Sequence, residues 1–86
     1  MDVSTKLACL AFSSMERVYQ EVSSDDKTEE IFLLMDNPVK MLRKLDEIGQ
    51  EYGLNRCNSS FEETGHCYWL AAVQDTKNWA RAVYAD

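Results

Sequence analysis

The residues best suited to chemistry are His66 and Cys67, an imidazole next to a thiol. A histidine can activate a cysteine nucleophile when the two side chains share a proton. Neighbouring residues point to opposite faces of a strand and lie about 100° apart around a helix, so this pair is badly placed for that transfer. We therefore predict that the chain is not an enzyme and has no catalytic residue.

A metal site is the second chemistry that these residues suggest. Cys57, His66 and Cys67 are separated by nine residues and by one, whereas structural zinc sites pair their ligands across two to four residues. On a helix, His66 would lie within reach of Glu62 and Glu63, a trio that could bind a proton or a weak metal or could form a solvated ion pair. We predict no metal and no cofactor. A small ligand- or metal-binding protein built around His66 and Cys67 is an alternative.

The strongest charge signal is an acidic cluster formed by Asp25, Asp26, Glu29 and Glu30. The chain has 15 acidic and nine basic residues, for a net charge of −6. Contact with phosphates needs cationic side chains, so direct binding to nucleic acid or to an anionic membrane is disfavoured. A basic protein partner is favoured. Ordinary solubility and a role in the first turn of a helix are the structural explanations for the same acids.

Lys40, Arg43 and Lys44 form the one basic patch in the sequence. Their spacing places them on one face of a helix, where Asp36 precedes Lys40 by four residues and Glu47 follows Arg43 by four. Opposite charges at this spacing form ion pairs. The pattern predicts a salt-bridged, solvated face.

The apolar run at 7–12 is too short to span a bilayer, and no basic segment precedes it as in a signal peptide. We expect a cytoplasmic protein that does not bind membranes. Three cysteines without paired spacing predict reduced thiols in such a compartment. The glycosylation sequon at Asn58 is then accidental.

The chain has only one proline and three glycines, and so few turn-forming residues favour helices over hairpins. The first predicted helix covers 3–22, and its apolar stripe recurs every three or four residues. The stripe consists of Val3, Leu7, Ala11, Met15, Val18 and Val22. Because Cys9 and Leu10 make its first half apolar nearly all round, this helix is either central to the bundle or covered by a second subunit.

Two more helices are predicted before residue 54. Asp26 with Glu29 resembles a capping box that opens the second helix. Its stripe is Ile31, Leu34 and Met35, and a strand over 31–35 is the rival interpretation. Asn37 and Pro38 open the third helix as N-cap and first helical residue, and Gly53 suits its left-handed end. The third stripe is Val39, Leu42, Leu45, Ile48 and Tyr52, with Gly49 as a small defect inside the helix.

The last third of the chain has two readings. In the first, Ser60 and Glu63 form a capping box that opens a long helix to about residue 85. Its face is Phe61, Gly65, Tyr68, Ala72, Thr76, Trp79 and Val83. In the second, residues 56–73 form a β-hairpin followed by a short helix, which gives an α+β fold. We predict the first reading: an all-α, four-helix arrangement in which 1–86 is a single domain.

Five of the nine aromatic residues lie between Phe61 and Tyr84. Aromatic side chains contribute strongly both to cores and to interfaces. We expect Trp79 in the core and Tyr68 or Trp69 near an interface. The candidate partner-binding residues are Asp25, Asp26, Glu29, Glu30, Glu62, Glu63, Tyr68 and Trp69.

Small size and acidity together suggest a protein-binding module that inhibits or neutralises a basic, nucleic-acid-handling protein. Immunity proteins, antitoxins and phage anti-defence proteins, including anti-CRISPR proteins, share this profile, which is a likeness of profile and not of motif. A self-associating adaptor or regulatory subunit, using the apolar first helix, is the alternative.

Overall fold

The described part of the chain forms four helices. The computed structural model describes residues 2–55 and 60–85, without the side chains of 60–63. The helices are α1 (Val3–Val22), α2 (Thr28–Phe32), α3 (Pro38–Glu51) and α4 (Ser60–Tyr84). The described residues contain no strand, so the all-α prediction is confirmed. The alternative hairpin over 56–73 is wrong, because α4 occupies 60–73; its residues 56–59 lie outside the described ranges.

The first and last helices pack against each other in opposite directions. Ser14 Oγ donates a hydrogen bond to Asp75 Oδ2 over 2.6 Å, and a Cβ added at Gly65 would lie 3.0 Å from Val22 Cγ1. Position numbers therefore rise along α1 as they fall along α4. This antiparallel pair is the most extensive contact between helices.

The helix predicted at 3–22 is confirmed as α1, and its N-terminus is capped by Asp2, which accepts a hydrogen bond from the Thr5 amide over 2.7 Å. Ala11, Met15 and Val18 are buried as the stripe predicts. Val3 is instead 67% exposed; it lies in the first turn, and a stripe cannot show where the covering helix ends.

The apolar first half of α1 is not covered all round. Leu10 is 52% exposed, and Cys9 is an exposed free thiol. Central placement of this half is therefore wrong. The helix faces the core on one side only, through Ala8, Ala11 and the residues that follow on that face.

α2 is a short helix whose N-cap is Lys27, which makes no side-chain capping bond. The capping box predicted for Asp26 with Glu29 is therefore wrong. Asp26 Oδ1 accepts a hydrogen bond from the Thr28 amide over 3.0 Å. Ile31 is fully buried, and Leu34 and Met35 are partly buried against the core, which confirms the predicted stripe. The rival strand over 31–35 is wrong, since this range lies in α2 and the turns that follow it.

α3 begins as predicted. Asn37 Oδ1 accepts hydrogen bonds from the Val39 and Lys40 amides over 2.9 and 3.3 Å, and Pro38 occupies the first helical position. The buried face differs from the predicted stripe: Met41 is fully buried, and Val39 is exposed. Because Pro38 itself packs inward, the residues in register with it face the core. These are Met41, Leu45, Ile48 and Gly49.

α4 contributes the buried residues Ala72, Thr76 and Trp79. Trp79 is 3% exposed, which confirms its predicted core position, whereas Val83 is exposed near the end of the helix. Thr76 is a polar residue in this core, and its hydroxyl donates to the Ala72 carbonyl over 2.7 Å. The predicted capping box and Phe61 involve side chains outside the described part of the chain. None of the described helices has the length and apolarity needed to cross a bilayer.

Candidate functional site

The acidic cluster borders a concavity between the end of α1 and the start of α2. We call this concavity the α1–α2 notch; its volume is about 380 Å³. Its lining is mainly polar, and includes Glu16, Gln20, Ser23, Asp25, Asp26, Lys27 and Thr28. Glu16 also accepts a hydrogen bond from the Thr28 hydroxyl over 3.3 Å, which links the two helices across the notch. Of the predicted acidic cluster, Asp25 and Asp26 line the notch, whereas Glu29 and Glu30 are not part of its lining.

The four acids of the cluster have different tasks. Asp26 precedes α2 and accepts a hydrogen bond from the Thr28 amide, which lowers the pKa of Asp26. Glu30 Oε1 lies 2.8 Å from Lys44 Nζ on α3, and this hydrogen bond lowers the pKa of Glu30. Asp25 and Glu29 are exposed, and the described residues include no cation within 4.0 Å of either carboxylate. These two carboxylates are therefore exposed and form no ion pair within the described part of the chain.

Lys44 joins α3 to α2 through its ion pair with Glu30. Besides Glu30, its ammonium lies 3.8 Å from Glu47, and the hydrogen bond to Glu30 raises the pKa of Lys44. The same ammonium interacts with the buried Tyr19 of α1, whose pKa is raised by burial. Lys44 of α3 therefore interacts with both Glu30 of α2 and Tyr19 of α1.

The ion pairs predicted within α3 are wrong. No ion pair joins Asp36 to Lys40 or Arg43 to Glu47 among the described residues. Glu47 lies near Lys44 instead. The predicted pattern considered one helix alone, whereas the fold supplies Lys44 with a carboxylate from α2.

Two residues of the candidate site were missed in the sequence. Phe32 and Leu33 are 66% and 70% exposed at the end of α2. The sequence could have predicted this exposure, because Phe32 and Leu33 lie outside the buried stripe formed by Ile31, Leu34 and Met35. Large apolar side chains next to free carboxylates give this end of the molecule a surface that is both apolar and acidic.

His66 and Cys67 do not come together for chemistry. His66 Nδ1 is hydrogen bonded to the carbonyl oxygen of Leu54, while Cys67 is an exposed free thiol. Among the residues that the structure describes, no group of three His, Cys, Asp or Glu side chains is arranged to hold a metal ion. Cys57 and the side chains of Glu62 and Glu63 lie outside those residues.

Trp69 and Tyr68 are partly buried by contacts within the chain. Trp69 Nε1 donates a hydrogen bond to the Leu45 carbonyl over 2.7 Å. The guanidinium carbon of Arg17 lies 5.7 Å from the centroid of the Tyr68 ring, a cation–π distance. The first contact ties α4 to α3 and the second ties it to α1. Neither joins these aromatics to the acidic cluster, and their role in an interface stays a prediction.

The Trp69 ring also explains Gly49, which the sequence suggested to be a defect. A Cβ added at Gly49 would lie 2.7 Å from Trp69 Cζ2 and 2.9 Å from Cε2. Carbon atoms do not approach so closely without displacement. Gly49 is therefore the position in α3 that allows the indole to lie against the helix backbone.

Comparisons with protein-family models, with curated proteins and with solved structures gave no match to this chain.

Proposed function

We propose that this chain is a small acidic protein-binding module that inhibits or neutralises a basic, nucleic-acid-handling protein. The observation that carries the proposal is a pair of exposed carboxylates without an ion-pair partner among the described residues. Asp25 lines the α1–α2 notch, and Glu29 lies on α2. The chain as a whole is also negatively charged, with a net charge of −6. Such a distribution accelerates encounter with a cationic surface and fixes its orientation.

Competition for a cationic surface would produce the inhibition. A protein that handles nucleic acid presents lysine and arginine toward the phosphates, and an acidic domain docked there excludes the nucleic acid. Because Ile31 anchors α2 in the core, less ordering entropy should be lost when the partner binds than for a disordered acidic segment. Immunity proteins, antitoxins and phage anti-defence proteins of the anti-CRISPR kind combine small size with acidity in the same way. The proposal has the chain act in the cytoplasm, without catalysis and without contact to nucleic acid or membrane.

The first test identifies the partner and then measures association. A tagged chain is used to capture proteins from a nuclease-treated host lysate, and mass spectrometry identifies those retained in stoichiometric amount. With the purified partner, Asp25→Lys/Glu29→Lys should lower the association rate constant about tenfold and flatten its dependence on salt.

The matched control is Asp46→Lys/Glu51→Lys, which changes the net charge equally at two exposed positions of α3. This control should have a clearly smaller effect, because Asp46 and Glu51 lie on α3 and belong neither to the acidic cluster nor to the lining of the notch. Equal association rates for both double variants and the unaltered chain would reject the electrostatic role of the notch. An acidic or neutral partner would reject the proposed partner class.

Self-association is a second candidate, supported by a separate apolar surface. Val3 and Leu10 of α1 and Tyr84 of α4 are each more than half exposed, and antiparallel packing places Val3 and Tyr84 at the same end of the helix pair. Mass measurement in solution over a wide concentration range tests this candidate. A strict monomer at the highest concentration excludes it, whereas a dimer that Leu10→Ser/Tyr84→Ser dissociates supports it.

A further inference from the structure

The feature that the proposed function leaves unexplained is the exposed pair Phe32 and Leu33. Their exposures of 66% and 70% are among the largest of any large apolar side chain in the described residues. They directly follow Ile31, which is fully buried and holds α2 against α1. The pair is thus presented on an anchored segment, and nothing in the described fold packs over it.

Carboxylates border this apolar pair. The Leu33 amide donates to the Glu29 carbonyl over 3.1 Å, so Phe32 and Leu33 follow Glu29 by three and four residues on one helical surface and flank its side chain. The turn continues through a 3.1 Å hydrogen bond from the Met35 amide to the Phe32 carbonyl and brings the exposed Asp36 about one turn after Phe32. Neither Glu29 nor Asp36 has an ion-pair partner among the described residues.

We propose that these four residues, Glu29, Phe32, Leu33 and Asp36, form a docking site for an amphipathic helix of the partner protein whose apolar face is bordered by lysine or arginine. We call them the α2 surface. This inference rests on the proposed function and narrows it, since it names the segment of the basic partner that is recognised. Apolar anchors spaced along one helix face are the usual means by which helices are recognised.

Charge selects this occupant over the alternatives. In a two-fold dimer, the same patch meets itself, and Glu29 and Asp36 would be brought against like charges. An anionic membrane surface would be repelled. An uncharged apolar helix would take water from Glu29 without giving it a partner, which is unfavourable. A helix with cationic flanks covers Phe32 and Leu33 and pairs both carboxylates.

The test uses the full chain and two synthetic helical peptides of about five turns. One peptide has a leucine face flanked by lysines, and the other has the same leucines flanked by glutamates. In a nitrogen–proton NMR titration, only the lysine peptide should bind, and its shifts should centre on the α2 surface. Phe32→Ser/Leu33→Ser should weaken binding at least about tenfold, in keeping with the loss of two central anchors.

Val3→Ser/Leu10→Ser is the matched control, because it removes two exposed apolar side chains from α1 instead. It should leave the affinity within about twofold. Glu29→Gln/Asp36→Asn is a second, independent variant that keeps the apolar pair, and it should weaken binding and flatten its salt dependence. This variant decides the question if the serine variant does not fold.

Three outcomes would overturn the inference. Binding that maps to another surface, or that neither α2 variant weakens, rejects the α2 surface but leaves the acidic binding module standing. A dimer dissociated by Phe32→Ser/Leu33→Ser assigns the surface to a second copy. No binding of the lysine peptide at about millimolar concentration rejects the inference, and the proposed function then stands or fails on the captured partner and its association rate.

Discussion

At the scale of single residues, the contact between Trp69 and Gly49 shows how one position can require the smallest side chain. The indole nitrogen donates to the Leu45 carbonyl, which lies one turn before Gly49 in α3. The ring then passes over Gly49 so closely that a Cβ there would lie 2.7 Å from Cζ2. A glycine inside a helix costs up to about 1 kcal/mol relative to alanine. Here it permits a hydrogen-bonded tryptophan to join two helices.

We therefore expect Gly49→Ala to destabilise the fold by about 1–3 kcal/mol, because forced displacement of a packed ring exceeds the gain in helix propensity. Urea unfolding monitored by tryptophan fluorescence and circular dichroism measures the change. Gln50→Ala, at the exposed neighbouring position, should be nearly neutral. The cost of Gly49→Ala should shrink in a Trp69→Phe background, and an undiminished cost there would show that the indole is not its cause.

At the scale of elements, the end of α3 depends on a left-handed backbone conformation at Gly53. Gly53 has φ of 67°, and the Leu54 amide donates to the Gly49 carbonyl over 2.9 Å. This is the six-to-one hydrogen bond of a Schellman end. It turns the chain so that Leu54 is buried and its carbonyl meets His66 of α4. The end of α3 and the position of α4 are thus coupled.

Gly53→Ala should cost about 1–2 kcal/mol, the penalty of a left-handed conformation for a residue with a Cβ. No atom lies within 4 Å of a Cβ built there, so steric collision does not contribute. Gly53→Asn should cost less, because asparagine adopts this conformation more readily. Equal costs for the two variants in urea unfolding would show that the backbone conformation is not the source.

Much of this element structure could be predicted from the sequence, and the failures have common causes. Asn37 and Pro38 mark the start of α3 because capping is local. The exposure of Val3 depends on where a partner helix ends, and periodicity contains no such information. The acidic cluster is visible in the sequence, but which of its carboxylates form ion pairs depends on Lys44, which belongs to another helix.

At the scale of the whole molecule, the meeting of Glu30, Lys44 and Tyr19 makes stability depend on pH. Lys44 lowers the pKa of Glu30 in the fold below the ordinary value of 4.5. A carboxyl whose pKa is lowered by folding adds stability above its unfolded pKa and loses it as the pH falls through the folded pKa. Hydrogen bonds from the Thr5 and Thr28 amides likewise lower the pKa values of Asp2 and Asp26. The unfolding free energy should therefore fall on acidification below about pH 4.5.

Glu30→Gln should make this decline shallower, and Lys44→Met should do so as well because it removes the cause of the shift. Denaturant unfolding at several pH values between about 6 and 3 measures both slopes. The difference from the unaltered chain should be modest, since the Glu30 side chain is 44% exposed and water screens the pair. Slopes identical to that of the unaltered chain would contradict the role assigned to this pair.

The antiparallel packing of the first helix on the last has a consequence for synthesis. The apolar face of α1 is translated first, but α4, which covers it, begins at Ser60 and ends at Tyr84. At ordinary translation rates, the ribosome needs roughly 3 to 12 seconds to add the intervening and covering residues. Throughout that interval, α1 lacks the helix with which it makes its most extensive contact. We expect the nascent chain to bind chaperones that recognise apolar segments, and to be prone to aggregation if the ribosome stalls.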